Sequence, residues 1–349
     1  MKYNQVYGRY CFGTGSWLGK RNLFKKSNLF NKFVIDSYKT VVKQDLLRIN
    51  NFQDLKNKTI LDVGSGRNTL AFQSLGAQKL YHIDISEYNY KNLKSFLEKK
   101  KVKNVQTFNL NLEEDEFKKL KIKLDLVYLH GVIHHMKTPH LALRNLNNKL
   151  SNNGFVWIHF YQYGSFSNIC IKLIKKILLI KKIEIEILYN FFKKKLKPKD
   201  LDVVVDTLGC DYVKIYNGDE VFNLMKKNGY ELIFSKDVYL KQKASIKTTT
   251  QSGILVFKKK SKKKKRIILK EFNYLDEKKF VNEDKDLIKK IKKLEKDFFS
   301  KLKRKSKQRN ILKVLYEIVQ IWRNDKLLKP HLSKKAELVM LFKKIKNQL

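Results

Sequence analysis

TILDVGSGRNTLAFQSLGAQKLYHIDIS, residues 59–86, is the stretch on which the reading of the fold turns. An apolar run enters Asp62-Val63-Gly64-Ser65-Gly66, a helical segment follows to Leu75, and a second apolar run leads to Asp84. Gly64 and Gly66 allow a tight turn and a close backbone approach to a ligand, with the positive end of the next helix aimed at any anion there. Asp84 stands 22 residues after Asp62 and ends the second strand. A carboxylate in that place accepts hydrogen bonds from both hydroxyls of a ribose. The combination predicts a nucleoside pocket.

Outward from this stretch, short apolar runs alternate with amphipathic ones. TILDV, KLYHIDI, NVQTFNL, LDLVYLH and GFVWIHF are each followed by a helix-like segment, which reads as βαβ units on a parallel sheet. Residues 163–217 interrupt the alternation with a cationic amphipathic stretch, Ile171 to Lys182, and a second one through Tyr189 and Phe192. The pattern resumes with a helix from Asp219 to Lys227, a strand at 230–234 and a final apolar strand at 253–257 that would close the sheet. Before the sheet, Phe33, Val34, Tyr38, Val41, Val42 and Leu46 keep a helical apolar spacing. Beyond it lies a Lys-rich tail, where Leu287, Ile291, Leu294, Phe298 and Leu302 share a face and Asn310 and Ser333 occupy N-cap positions before Ile311–Trp322 and Lys334–Ile345. The chain therefore divides into an N-terminal helical segment (1–56, a substrate lid), a sheet domain (57–258, with the insertion 163–217) and a basic helical module (259–349).

No GxGxxG follows the first strand, since Asn68 and Thr69 come where the pattern continues, and no GxxxxGK[ST] phosphate loop is present. Residues 59–86 instead resemble motif I of the class I S-adenosylmethionine-dependent methyltransferases, shortened here to Gly-Ser-Gly before Arg67. LDLVYLHGVIHHMKTPHLALRNLNNKLSNNGFVWIHFY, residues 124–161, is similar to the family's fourth strand, its double-histidine turn, a helix and the fifth strand, with Thr138 as helix cap and Pro139 at the first helical position. Asn153 replaces one glycine of the turn before the fifth strand, and Asn111 stands where the family usually places an Asp that holds the adenine amino group. The resemblance covers roughly 57–162 and, more weakly, 219–257, and is nearest to the small-molecule branch. It implies a Rossmann-like α/β fold with a seven-stranded, mostly parallel sheet. It also implies S-adenosyl-L-methionine as cofactor, held by Asp62, Gly64, Ser65, Gly66, Asp84, Ile85, Asn111, Leu112 and His130.

His134 and His135 are the candidates for catalysis. Being adjacent, they point about 100° apart on a regular helix and do not form the i, i+4 pair that chelates a metal, so no metal site is expected. Two readings stay open: an imidazole of this segment takes a proton from the methyl acceptor, or the histidines cap the fourth strand and touch the cofactor by backbone only. A sulfonium donor is already activated, so positioning alone can suffice and a general base is not required. Tyr161, Tyr163, Phe166 and Trp17 are candidate substrate walls; the plainer alternative is that they pack the insertion onto the sheet.

Composition narrows the function. The 349 residues include 76 Lys+Arg against 33 Asp+Glu, a net charge of +43, yet 43% are hydrophobic and 12% aromatic, which excludes a wholly disordered polyelectrolyte. Only nine of the basic residues are Arg, so the charge is mostly Lys, which nucleotide composition alone can impose and which argues less for nucleic acid than its size suggests. From Lys258 to Leu349, 32 basic and 11 acidic residues leave +21. Cys11, Cys170 and Cys210 form neither a disulfide framework nor a metal motif, which fits a reducing, cytoplasmic setting. The apolar stretch at 171–188 is broken by lysines, so no span of a bilayer is expected, although the cationic helix suits peripheral contact with an anionic membrane.

Three functions remain: methyl transfer to a small metabolite or lipid-like acceptor, methylation of RNA gripped by the basic tail, and a noncatalytic interaction protein that keeps the fold. Leu129-His130-Gly131-Val132 lacks the Asn/Asp-Pro-Pro-aromatic form used on planar amino groups, and no cysteine follows a proline for attack on cytosine. The first reading is favoured.

Overall fold

The computed structural model describes residues 32–49, 52, 54–64, 66–161, 166–183, 185–196, 218–236, 252–260 and 308–323, with single positions at 201, 204, 208, 214, 216, 296 and 300. Two compact units form. One comprises Met1–Tyr161, Cys210–Tyr239 and Ser252–Tyr274; the other comprises Gln162–Gly209, Leu240–Gln251 and Leu275–Leu349.

The first unit is an α/β sandwich. In chain order it contains α1 (Lys32–Leu46), β1 (Thr59–Val63), α2 (Arg67–Ser74), β2 (Lys79–Asp84), α3 (Glu87–Lys99), β3 (Val105–Asn109), α4 (Asp115–Lys119), β4 (Leu124–His130), α5 (Pro139–Lys149) and β5 (Leu150–Tyr161). After the insertion come α8 (Gly218–Lys227), β6 (Tyr230–Lys236) and β7 (Ser252–Lys259). The other unit supplies the intervening α6 (Phe166–Lys181) and α7 (Ile185–Lys193), and later α9 (Gln308–Arg323).

Seven strands lie in the order β3-β2-β1-β4-β5-β7-β6. The first five are parallel, and β7 runs antiparallel between β5 and β6. The Rossmann-like architecture is thus as expected, with one refinement. The last strand does not take the edge: β7, apolar along Ile254 to Phe257 and flanked on both sides, has the central place its sequence suits, and β6 is left outside. β5 begins at Leu150, four residues before GFVWIHF, because Leu150 already pairs with Leu124 ahead of a register shift.

Ile60, Leu80, Leu126, Tyr128, Trp157 and Val256 share a core with Phe72 of α2 and with Val42 and Leu46 of α1. Val41 is 42% exposed, so of the two adjacent valines in the apolar spacing only Val42 faces inward. The feature that fastens α1 is polar. The Tyr128 hydroxyl donates to Asp45 Oδ2 at 2.7 Å, and Arg48 contacts Oδ1 at 3.2 Å. Burial pushes Asp45 up to about 6, against the opposing pull of Tyr128 and Arg48. The folded state therefore prefers the neutral carboxyl, and Asp45 costs stability as pH rises through about 6. Tyr128→Phe removes the donor from a buried carboxylate; a loss of about 1–3 kcal/mol at pH 7 is expected, shrinking toward pH 5. Urea melts at the two pH values check this, and an equal loss at both would break the link to Asp45.

In the second unit, α6 begins at Phe166, five residues before the amphipathic stretch read from sequence. α9 begins at Gln308, so Asn310 lies inside its first turn rather than at its N-cap. From Ile311 onward the helix buries one apolar face. Tyr316 of α9 meets Phe191 edge-on at 6.4 Å and Phe192 at 6.2 Å, while Lys195 Nζ lies 5.2 Å from the Tyr316 ring. Sequence texture separates the insertion from the tail, whereas the structure joins their described parts in one helical unit. The expected helix at 334–345, the apolar face at 287–302 and the cap Ser333 lie outside the described residues.

Candidate functional site

The sheet order reverses at β1, which has β2 on one side and β4 on the other. In such sheets a ligand crevice opens at the carboxyl ends of the strands beside the reversal. The loop after β1 is built for close approach. Gly64 has φ +125° and donates its N–H to Ile83 O at 3.0 Å, which locks the turn to β2. Gly66 has φ +81°, and a Cβ there would lie 2.8 Å from Leu93 Cδ2. Gly66→Ala should lower stability by about 1–3 kcal/mol through left-handed strain and contact with Leu93; thermal melts test it, and an unchanged midpoint would show that Leu93 swings aside without cost.

Asp62 is fully buried behind this loop. Its Oδ2 accepts from Thr69 Oγ1 at 2.6 Å, and Thr69 Oγ1 lies 3.0 Å from His82 Nδ1. Thr69 has one proton and gives it to Asp62, so His82 Nδ1–H donates to the threonine oxygen. Asp62 Oδ1 is buried without a partner. Asp84 is 3% exposed at the end of β2. Its Oδ1 accepts the Ser86 N–H at 2.7 Å and its Oδ2 accepts Asn89 Nδ2 at 3.0 Å. Burial lifts Asp84 to about 6, opposed by His82, Ser86 and Asn89.

Gly64, Asp84, Ile85, Asn111 and Leu112 line one narrow cleft, and His135 joins them from the turn after β4. The cleft measures about 50 Å³, against roughly 300–1,000 Å³ for ligand cavities. Thr138 holds its walls together: backbone N–H and hydroxyl both donate to Glu113 Oε1, the hydroxyl at 2.6 Å. Thr138 does occupy the cap position of α5, with Pro139 following, but its hydroxyl is spent on this clasp and makes no capping bond. Asn111 is also engaged locally, its Oδ1 accepting the Glu113 N–H at 3.0 Å. Ser65 lies outside the described residues.

The remaining histidines separate. His134 is fully buried, its ring stacked on Tyr161 at 3.8 Å, and its Nδ1 accepts the Tyr161 N–H at 3.3 Å. The chain returning from the insertion pins this pair: Lys214 N–H donates to His134 O and Tyr216 N–H to Tyr161 O, at 2.8 and 3.0 Å. Ile133–His135 form a short 3-10 turn, which places the two imidazoles 4.2 Å apart but only His135 in the cleft wall. His130 does not line the cleft; it ends β4 and stacks on His159 of β5. Tyr161 thus packs the turn, Tyr163 and Trp17 lie outside the described residues, and Phe166 begins α6 with its side chain undescribed.

Sequence reading missed His159, Asn89 and Glu113. His159 carried a signal, as a polar residue in phase with Phe155 and Trp157 inside the otherwise apolar run from Phe155 to Phe160. Asn89 carried one as well, three residues after the N-cap Ser86. Glu113 carried none, because its partner is 25 residues away. Among the described residues no group of three or more His, Cys, Asp or Glu could hold a metal, and no helix is long and apolar enough to cross a membrane.

Residues 61–156 match a family model described as a methyltransferase domain. No curated protein matches the chain. Among solved structures, the chain is similar to the 1,6-didemethyltoxoflavin-N1-methyltransferase of Burkholderia thailandensis with bound S-adenosylhomocysteine, at 12% identity over 71% of this chain and 85% of that one, with a TM-score of 0.41. It is also similar to the magnesium protoporphyrin IX methyltransferase of Synechocystis PCC 6803, at 14% identity over 73% and 97% of the two chains, with a TM-score of 0.44.

Proposed function

We propose, from the premise that this chain carries a class I S-adenosylmethionine-dependent methyltransferase domain, that it transfers a methyl group to a small metabolite or lipid-like acceptor. The observation that carries the reading is the cleft at the strand reversal, with a buried carboxylate at the end of β2 and a glycine turn at the end of β1. The chemistry of these residues suits the cofactor, and the cleft of about 50 Å³ has to widen to admit it. Asp84 would accept the ribose hydroxyls, Ile85 and Leu112 would cover the base, and the Gly64 backbone would lie against the amino-acid portion. The free Oδ1 of Asp62 is one buried acceptor short of a donor, as an ammonium nearby requires. Asn111 serves the adenine only by giving up its bond to Glu113 N. Bound S-adenosylmethionine would supply a methyl already activated on a sulfonium. The protein's part is then to orient the acceptor and exclude water, and His135, the imidazole in the cleft wall, would be the one to meet the reacting groups.

Calorimetric titration with S-adenosylhomocysteine tests the pocket, and mass spectrometry of cell metabolites incubated with the protein and donor tests the reaction. A metabolite gaining one CH2 unit is expected; binding without any such product would leave the noncatalytic reading. The +21 carried from Lys258 onward supports a second reading, RNA as acceptor. Retention of tRNA on filters that survives roughly 0.2 M salt would favour it.

A further inference from the structure

Among the described strands β3 has β2 as its one neighbour, so its far side is a sheet edge. The backbone there has a fixed direction. Leu80 N–H donates to Asn104 O at 2.8 Å, and residues along a strand turn their N–H and C=O alternately to either side, so those of Val105 and Thr107 point away from β2. Against this edge lies an open groove of about 620 Å³, lined by β3, the C-terminal half of α3 and the loop between them. Val102 and Phe108 give it half-buried apolar surface, and Phe108 is steadied by stacking on Tyr81 at 6.3 Å.

The rim is cationic. Lys94, Lys101 and Lys103 line the groove against one carboxylate, Glu98, and Lys99 and Lys100 adjoin it along the chain. All five lysines are exposed. Neither Lys101 nor Lys103 has an ion-pair partner among the described residues. Lys101 also takes a left-handed conformation, φ +52°, just past the end of α3, where glycine would be unstrained. Lysines on an edge strand guard against pairing with a like-charged chain, so a second copy, itself at +43, is the partner this edge rejects. The same charges attract an acidic one. A nucleic acid would answer the charge, but it brings no row of amides to the strand edge and no aliphatic side chain to Val102 and Phe108.

We propose that the β3 edge is a docking surface for an acidic peptide segment, which adds to the sheet as an extended strand. Its backbone pairs with the outward N–H and C=O groups of Val105 and Thr107, and its carboxylates meet Lys94, Lys101 and Lys103. The proposal does not depend on which acceptor is methylated.

Fluorescence anisotropy with the full chain tests it. The probe is a labelled hexapeptide that alternates glutamate with valine, and its lysine–valine counterpart is the control. The acidic peptide should bind at least about tenfold more tightly than the basic one. Lys101→Glu combined with Lys103→Glu should weaken its binding about tenfold or more. Lys226→Glu combined with Lys227→Glu, the same charge change on exposed lysines of α8, should stay within about threefold. N-methylation of alternate amides in the acidic peptide should abolish binding for one of the two alternate sets, because a paired strand turns only every second amide to the edge. That last measurement needs only the wild-type protein, so it stands even where a variant fails to fold. Equal losses in the two double variants would show attraction by the overall charge, and peptides unharmed by either methylation would show that no strand is added; each result overturns the proposal. A uridylate hexamer that binds more tightly than the acidic peptide, and is lost in the Lys101→Glu, Lys103→Glu variant, overturns it in favour of nucleic acid.

Discussion

Asp84→Ala should weaken S-adenosylhomocysteine binding by about 10- to 150-fold at pH 7.5, the loss of a charged hydrogen-bond acceptor worth roughly 1.5–3 kcal/mol. The substitution also strands the Ser86 N–H and the Asn89 amide, both of which now donate to Asp84, so a lower melting midpoint should accompany it. Asp84→Asn separates the effects. Its amide oxygen still accepts from Ser86, so stability should largely return while affinity stays reduced for want of charge. The pH dependence has a definite sign. Burial raises the folded-state value to about 6, above roughly 3.9 in an unfolded chain. In the free protein this group therefore contributes most stability at low pH and loses it as pH rises through about 6. Hydroxyl donors from a ribose reverse the preference, because they bond best to the ionised carboxylate. Affinity should fall as pH drops below about 6, and calorimetry in buffers of different ionisation enthalpy should show proton release on binding near that pH. Asp84→Asn should show neither. A pH-independent wild-type affinity between pH 5 and 7.5 would mean that the ribose does not reach Asp84.

What sequence could reveal of this site follows the range of the interactions. The glycine turn and Asp84 are legible because they depend on local chain geometry: a strand end, two left-handed glycines and the next strand's last residue. The strands were legible for the same reason, being continuous apolar runs that suit a sheet covered on both faces. Polar contacts made across the fold were not. Asp45 reaches Tyr128 over 83 residues, and Thr138 reaches Glu113 over 25. An aspartate near the end of an amphipathic helix reads as a solvated residue until Tyr128 is seen above it. His130 and His159 are 29 positions apart and become neighbours only through the β4–β5 register. His134 and His135 show the converse limit. Their adjacency is plain in the sequence, but the 3-10 turn decides which ring meets Tyr161 and which the cleft.

The same contrast of local pattern and distant partner predicts the behaviour of the helical unit. Ile311, Val314, Leu315, Ile318 and Val319 follow the spacing of one helical face, and each is at most 2% exposed. α9 packs on α6 and α7, whose Ile174, Ile177, Leu188, Tyr189 and Phe192 are all nearly inaccessible. Three short helices of 16, 9 and 16 residues have little stability apart. Ile318→Asp places a charge in this interface, where an unpaired ion is costlier than the few kcal/mol that such packing contributes. Amide hydrogen exchange in α6 and α7 should accelerate by about 100-fold or more, although the substitution lies over 120 residues away in sequence. Ile318→Val, which removes one methylene, should cost only about 0.5–1.5 kcal/mol, and Lys313→Glu on the exposed face should change little. Because the sheet has its own core, β1, β4 and β5 should keep their protection. Accelerated exchange in those strands would show that the two units unfold together, and unchanged exchange in α6 and α7 would show that the tail helix does not hold the insertion.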